Sequence, residues 1–89
     1  MLTRDTKIDM ISVCNADGTM QPLRFRFEDA ERCRHRVNVR EILACKELRY
    51  RETEGYVFTC RAQMDEEEHL FELKYVIRAH CWYLFRVIW

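Results

Sequence analysis

The chain of 89 residues is poor in the residues that build loops, with two glycines, one proline and a single serine. So few glycines exclude the glycine-rich loops that cradle phosphate groups, and they exclude low-complexity linkers as well. The one serine, Ser12, has no flanking glycines that would form a nucleophile elbow. The sequence therefore predicts a single domain over residues 1–89 without a catalytic serine.

Long apolar runs are also absent. No segment approaches the roughly 20 consecutive apolar residues of a membrane span, and the charged residues 1–7 lack the apolar core of a secretory signal. We therefore expect a cytoplasmic protein that does not associate with membranes. The cysteines are odd in number, so we expect free thiols rather than a disulfide scaffold. They are Cys14, Cys33, Cys45, Cys60 and Cys81.

Positive and negative charges balance over the whole chain, at fifteen each, but not along it. Residues 24–51 carry nine basic against five acidic side chains, whereas residues 52–72 carry seven acidic side chains against one basic. Because surface fields act over a Debye length of about 8 to 10 Å, a neutral total does not exclude a locally basic face.

The dominant hydrophobic period in the first half is two, which is typical of strands with one buried face. Leu23, Phe25 and Phe27 alternate with charged residues, and residues 8–14 form another apolar segment before them. The turn sequence at 15–18 ends in glycine, so these segments predict a hairpin.

The second half continues the same pattern. Residues 56–64 and 71–77 each alternate, and the acidic run 65–68 between them predicts a solvated turn. The final segment, residues 81–89, is apolar on both faces. It is either a central strand covered on both sides or an edge strand open to a partner.

Residues 38–48 fit two local structures. Asn38, followed three residues later by an acidic residue, fits the start of a short helix. The two valines that flank Asn38 alternate as in a strand, in which Ile42 and Leu43 lie across a bulge. We favour the strand and keep the helix as the alternative.

Five to six strands joined by short polar turns predict an all-β fold. Because 89 residues are too few for two full sheets, we expect an antiparallel meander that curls into a small barrel or roll.

The strand patterns resemble those of a family of small, single-domain bacterial proteins of uncharacterised function. The resemblance begins at about Met10 and rests on residues 22–29, 37–42, 58–60, 71–75 and 82–86. It implies a β fold, and it implies no activity, ligand or catalytic residue. His80 stands where the family usually has a cysteine, with Cys81 beside the tryptophan, which argues against a required thiol there.

Cysteine and histidine spacing does not predict a metal site. The close pairs Cys33/His35 and His80/Cys81 lack the spacing of structural zinc ligands, and a shared site requires their two loops to meet. The consecutive acids of 65–68 point in different directions, unlike the ligands of a calcium loop. We predict no metal, no cofactor and no catalytic residue, and therefore no enzyme.

Arginines are the main functional signal. The candidate binding residues are Arg24, Arg26, Arg32, Arg34, Arg36, Tyr83, Phe85 and Trp89. Small curled β domains bind single-stranded nucleic acid by combining a basic face with aromatic rings, whereas interleaved acids and zero net charge are typical of an ordinary soluble surface. We expect a non-catalytic interaction or structural module, with single-stranded nucleic-acid binding as the alternative.

The C-terminal segment offers a second surface. Four of the eleven aromatic residues lie in residues 82–89. In an edge strand they would support pairing with a second copy, giving a homodimer, or with another protein. In a central strand they would be core.

Overall fold

Residues 6–88, which the computed structural model describes, form six antiparallel strands and no helix. The strands are β1 (Thr6–Cys14), β2 (Met20–Glu28), β3 (Arg34–Tyr50), β4 (Thr53–Met64), β5 (Glu67–Val76) and β6 (Cys81–Val87). Each strand pairs with the next along the chain, and β6 pairs back to β1, so the sheet closes into a barrel. The predicted all-β antiparallel meander is confirmed in its barrel form.

The predicted turns lie between the strands as expected. Gly18 ends the β1–β2 turn with φ 92°, where the Asp17 carboxylate accepts hydrogen bonds from the amide and hydroxyl of Thr19 at 3.0 and 2.6 Å. Asp65 and Glu66 form a two-residue β4–β5 turn, both with positive φ, in the conformation that tight hairpins favour. The acidic run is therefore a solvated turn that leads into β5.

The ambiguous segment, residues 38–48, lies within β3 and is a strand. Strand β3 pairs with β4 from Val37 to Tyr50, so cross-strand hydrogen bonds replace those of the alternative helix. Ile42 lies opposite Cys60 and Ala44 lies opposite the next β4 residue back, which leaves Leu43 as an extra residue in a bulge. The predicted position of this bulge is confirmed.

A bulge in β2 overturns one prediction. Ile11 lies opposite Arg24, but Ser12 lies opposite Pro22, so Leu23 is an extra residue in the ladder. The extra residue reverses the alternation, and Leu23 is 43% exposed while Pro22 is buried. The expectation that Leu23 faces the core with the two phenylalanines was wrong. Proline suits this position because a bulge does not require its missing N–H.

The core fills the inside of the barrel. All six strands contribute to it, β3 with a single residue. The core residues are Ile8, Phe25, Phe27, Val37, Phe58, Cys60, Ala62, Phe71, Leu73, Tyr75, Trp82 and Leu84. The Phe25 and Phe71 rings meet edge to face with centroids 5.6 Å apart. Ile77, expected on the same face as Phe71, follows the end of β5 and is 39% exposed. No buried polar side chain occurs in the described part of the chain.

The strand β6 is a central strand. It pairs with β5 on one side and with β1 on the other, and its Trp82 and Leu84 are buried in the core. The expectation that a central strand puts its aromatic residues in the core holds for Trp82 alone among the described residues, because Tyr83 and Phe85 are half-buried on the outer face. Residues 6–88 contain no helix that is long and apolar enough to cross a membrane.

Gly55 marks the closest approach of β4 and β5. A Cβ atom there would lie 1.9 Å from the carbonyl oxygen of Tyr75. We expect Gly55→Ala to lower the free energy of unfolding by about 3 kcal/mol, because the two strands must separate. Gly18→Ala is the control, since its Cβ meets nothing within 4 Å and only its positive φ is strained, at about 1 kcal/mol. Urea unfolding of both variants measures the difference; equal losses would contradict the steric explanation.

Candidate nucleic-acid interface

Four arginines share the outer face of β2 and β3. Arg26 lies directly opposite Arg36, Arg34 lies opposite Glu28 on one side of this pair, and Arg24 lies two residues away along β2 on the other. All four are exposed. Directly opposite side chains are about 5 Å apart at Cβ, and like charges there repel. The Arg26–Arg36 pair is therefore a local concentration of positive charge.

Little of this charge is neutralised within the protein. Arg26 Nε donates to the Asp9 carboxylate on β1 at 2.9 Å, in a pair whose side chains are 58% and 75% exposed. Exposed pairs of this kind contribute at most about 1 kcal/mol. Arg24, Arg34 and Arg36 form no ion pair with any residue between 6 and 88. Their guanidinium groups are available to an anionic ligand.

Two adjoining depressions lie over this face. The larger, of about 420 Å³, is lined by Asp9, Met10, Ile11, Arg24, Phe25, Arg26 and Arg36. The smaller, of about 200 Å³, is lined by Lys7, Asp9, Arg26, Phe27, Glu28 and Arg34. Both are lined by Asp9 and Arg26, so the two depressions adjoin at this ion pair. Their basic lining is typical of a surface for anions.

Aromatic rings lie across β1 from the arginines. Tyr83 of β6 is opposite Lys7 of β1 and opposite Lys74 of β5, and it is half-buried. The Lys74 ammonium lies 5.4 Å from the Tyr83 ring centroid and 5.3 Å from that of Phe85, within cation–π range. The outer face thus continues from the arginines over β1 to two rings flanked by a lysine. We call the outer face of β3, β2, β1 and β6, with Lys74 of the adjoining strand β5, the basic-aromatic face.

The other predicted site residues lie elsewhere. Arg32 is in the β2–β3 turn with φ 63°, and its amide donates to the Asp29 carbonyl at 3.0 Å, so it stands at the end of the barrel instead of on the strand face. Trp89 lies outside the described residues. Lys7 and Lys74 also belong to the face, but the sequence does not predict this, because each is an isolated lysine far from the arginines along the chain. Only strand order brings them there.

His35 lies at the end of the barrel beside this face. His35 stacks on Phe27 with centroids 5.0 Å apart, its Nε2 lies 2.8 Å from Asp29, and its Nδ1 lies 3.2 Å from Asp65. Asp29 also accepts hydrogen bonds from the amides of Glu31 and Cys33, both at 2.9 Å. His35 therefore links the β2–β3 turn to the β4–β5 turn.

Protonation of His35 strengthens this link. The hydrogen bond to Asp29 raises the pKa of His35 above its ordinary value of 6.5, and Asp65 adds to the effect. The same bond, together with the Cys33 amide, lowers the pKa of the Asp29 carboxyl below 3.8. Both shifts favour a charged pair.

The cysteine and histidine pairs do not meet. Cys33 and His35 lie at the end of the barrel that holds the β2–β3 and β4–β5 turns, whereas His80 and Cys81 lie at the opposite end. Within residues 6–88, no three His, Cys, Asp or Glu side chains are placed to hold a metal ion. Burial raises the pKa of the Cys60 thiol to about 12, so this cysteine is an apolar core residue and not a nucleophile.

No family model, no curated protein and no solved structure matches the chain.

The His35 link predicts a pH dependence of stability. Because the folded pKa of His35 lies above 6.5, its stabilisation is complete below pH 6.5 and is lost as pH rises through the folded value. The lowered pKa of Asp29 acts in the other direction, since its stabilisation is present above pH 3.8 and is lost on acidification. We expect the highest Tm between these two pH values and a fall of a few degrees at higher pH.

Thermal unfolding across the pH range measures this effect. His35→Phe is the matched variant, because it keeps a ring on Phe27 and removes both hydrogen bonds. We expect its Tm to vary less from pH 6 to pH 9 than that of the wild type. A wild-type Tm that rises over this range would exclude the assigned role of His35.

Proposed function

We propose that the protein is a non-catalytic binding module whose ligand is single-stranded nucleic acid. The observation that carries the proposal is the alignment of Arg24, Arg26, Arg34 and Arg36 on adjacent strands, beside the rings of Tyr83 and Phe85 on the same outer surface. Proteins that bind single strands without sequence preference combine a positive surface along the backbone with aromatic rings for the bases.

The arginines are suited to the phosphates. A guanidinium group donates two parallel hydrogen bonds to phosphate oxygens and is only weakly hydrated. Arg24, Arg34 and Arg36 lose no internal ion pair among the described residues when they bind an anion. Arg26 exchanges an exposed carboxylate, Asp9, for a phosphate. Binding at this face therefore needs little rearrangement.

The rings are suited to the bases. Tyr83 and Phe85 lie on the strand next to β1, so about two strand spacings of roughly 5 Å each separate β6 from the arginines of β2. A base stacked on an aromatic ring contributes about 1 to 3 kcal/mol and tolerates any sequence. Because the barrel is closed, β3 lies on the side opposite β6, so a flexible single strand must curve around β1 to place its bases over β6 and its phosphates over β2, whereas a stiff duplex keeps its bases paired.

Arginine substitution tests the electrostatic part. We expect labelled single-stranded oligonucleotides to bind at about 50 mM salt, and log K to fall against log salt with a slope of about −0.7 for each phosphate neutralised. Arg36→Ala should weaken binding of all sequences alike and reduce this slope by one phosphate. Fluorescence anisotropy over a salt series measures both quantities. The control, Arg78→Ala, removes an exposed arginine from the β5–β6 turn at the end of the barrel and should change neither.

Tyrosine substitution tests the stacking part. Tyr83→Leu keeps an apolar side chain but removes the ring, and we expect affinity to fall about tenfold with the salt slope unchanged. Tyr50→Leu is the control, because Tyr50 is also flanked by a cation, with Arg51 at 5.3 Å, but lies at the end of β3. The same anisotropy titration applies. Absence of wild-type binding at about 50 mM salt would reject the proposed function.

A further inference from the structure

The strand β3 has a long side that no other strand covers. It pairs with β2 only from Arg34 to Asn38, and from Val39 to Tyr50 it pairs with β4 alone among residues 6–88. The pairing with β2 ends where β2 carries its bulge at Leu23 and β3 carries its first bulge at Arg40. Because bulges bend and twist a strand, the two strands separate beyond this point.

The open side of β3 is accessible over this length. Val39, Ile42 and Leu48 are half-buried, and the other residues between 39 and 50 are exposed, with Leu43 at 44%. An edge strand presents a row of backbone N–H and C=O groups that another strand can pair with. Charged side chains on an edge normally discourage such pairing, so the order of the charges on this edge decides what it accepts.

The charges between 39 and 48 are complementary to their own reversed order. The sequence runs Val-Arg-Glu-Ile-Leu-Ala-Cys-Lys-Glu-Leu. A second copy running antiparallel, centred between Leu43 and Ala44, places Arg40 opposite Glu47 and Glu41 opposite Lys46. Each pairing occurs twice by symmetry. Arg40 donates to Gln63 on the outer face, whereas Glu47 lies opposite Tyr56, which packs against the core, so of these charges only Glu41 and Lys46 can meet on one face. Opposite charges across antiparallel strands stabilise the pair.

The bulge at Leu43 makes this arrangement compatible with the faces of the strand. In a regular strand, two residues five positions apart point to opposite faces. Here Glu41 lies opposite Arg61 and Lys46 lies opposite Val57, and these β4 residues are four positions apart. Glu41 and Lys46 therefore point to the same face.

The inner face follows the same rule. Ile42 and Cys45 lie opposite Cys60 and Phe58, which both face the core. Ile42 and Cys45 thus share the inner face of β3. In the antiparallel pair, Ile42 of one copy lies opposite Cys45 of the other. Without the bulge, neither pair would meet on one face.

We propose that the protein forms a homodimer through antiparallel pairing of residues 39–48 of β3 with the same residues of a second copy. The interface consists of two strand segments that extend one sheet across both barrels. Its polar contact is the pair Glu41–Lys46, present twice, with Leu43 and Ala44 at the centre. This interface differs from the one expected at the C-terminal strand, since β6 is paired on both sides.

Charge reversal in two complementary variants tests the dimer. Lys46→Glu places two acids opposite each other at both symmetric positions, and Glu41→Lys places two lysines there. Each variant alone should dimerise at least tenfold more weakly than the wild type, whereas an equimolar mixture should form a heterodimer in which opposite charges face each other again. Light scattering and sedimentation equilibrium at concentrations up to about 100 µM measure the masses.

The controls separate the interface from the fold. Lys46 forms no ion pair within residues 6–88, so Lys46→Glu should leave the Tm unchanged at protein concentrations too low for dimerisation, whereas Glu41→Lys also loses its own contact with Arg61 at 2.8 Å. Arg78→Glu, at the distant β5–β6 turn, should leave the mass at twice that of the monomer. A monomeric wild type, or a dimer that both variants leave intact, would overturn the proposal.

Discussion

The short ladder between β1 and β6 is the contact on which the rest of the structure depends. Among residues 6–88 it contains three residue pairs, Thr6 with Leu84, Lys7 with Tyr83 and Ile8 with Trp82. These pairs join the first strand to the last and turn a meander into a closed barrel, which removes two sheet edges. Closure also defines an inside for Ile8, Trp82 and Leu84, which are buried. Without it, the apolar strand β6 would stand at an edge with its backbone groups unpaired.

Closure produces the basic-aromatic face as well. Lys7 and Tyr83 lie far apart in the chain, and they are neighbours only because β1 and β6 pair. Lys74 joins them through the β5–β6 ladder. The arginines of β2 and β3 need only their own hairpin to meet, which is why they are visible in the sequence. A neutral protein thereby acquires one locally basic surface, although Asp9 and Glu28 also line it, and seven of its fifteen acids lie in residues 52–72.

Bulges interrupt the regular pairing of the strands. Extra residues occur at Leu23 in β2, at Arg40 and Leu43 in β3, and at Phe85 in β6. Those in β2 and β3 separate these strands and leave the long open side of β3, while the one at Leu43 also puts Glu41 and Lys46 on a common face. A single residue inserted into a ladder thus changes both which side chains are buried and which surfaces remain open to a partner.

The sequence alone determined the strands other than β3, the turns at 15–18 and 65–68, and the inward residues of β4 and β5, because these depend on local alternation and on turn chemistry that neighbouring residues express. It also indicated the arginine face, since one hairpin aligns those residues. Tertiary structure alone decided that β6 is central, that Leu23 points outward, and that His35 links Asp29 to Asp65 across two turns. The physical reason is that register, bulges and closure depend on cross-strand pairing between residues distant in the chain, which periodicity along one segment does not encode.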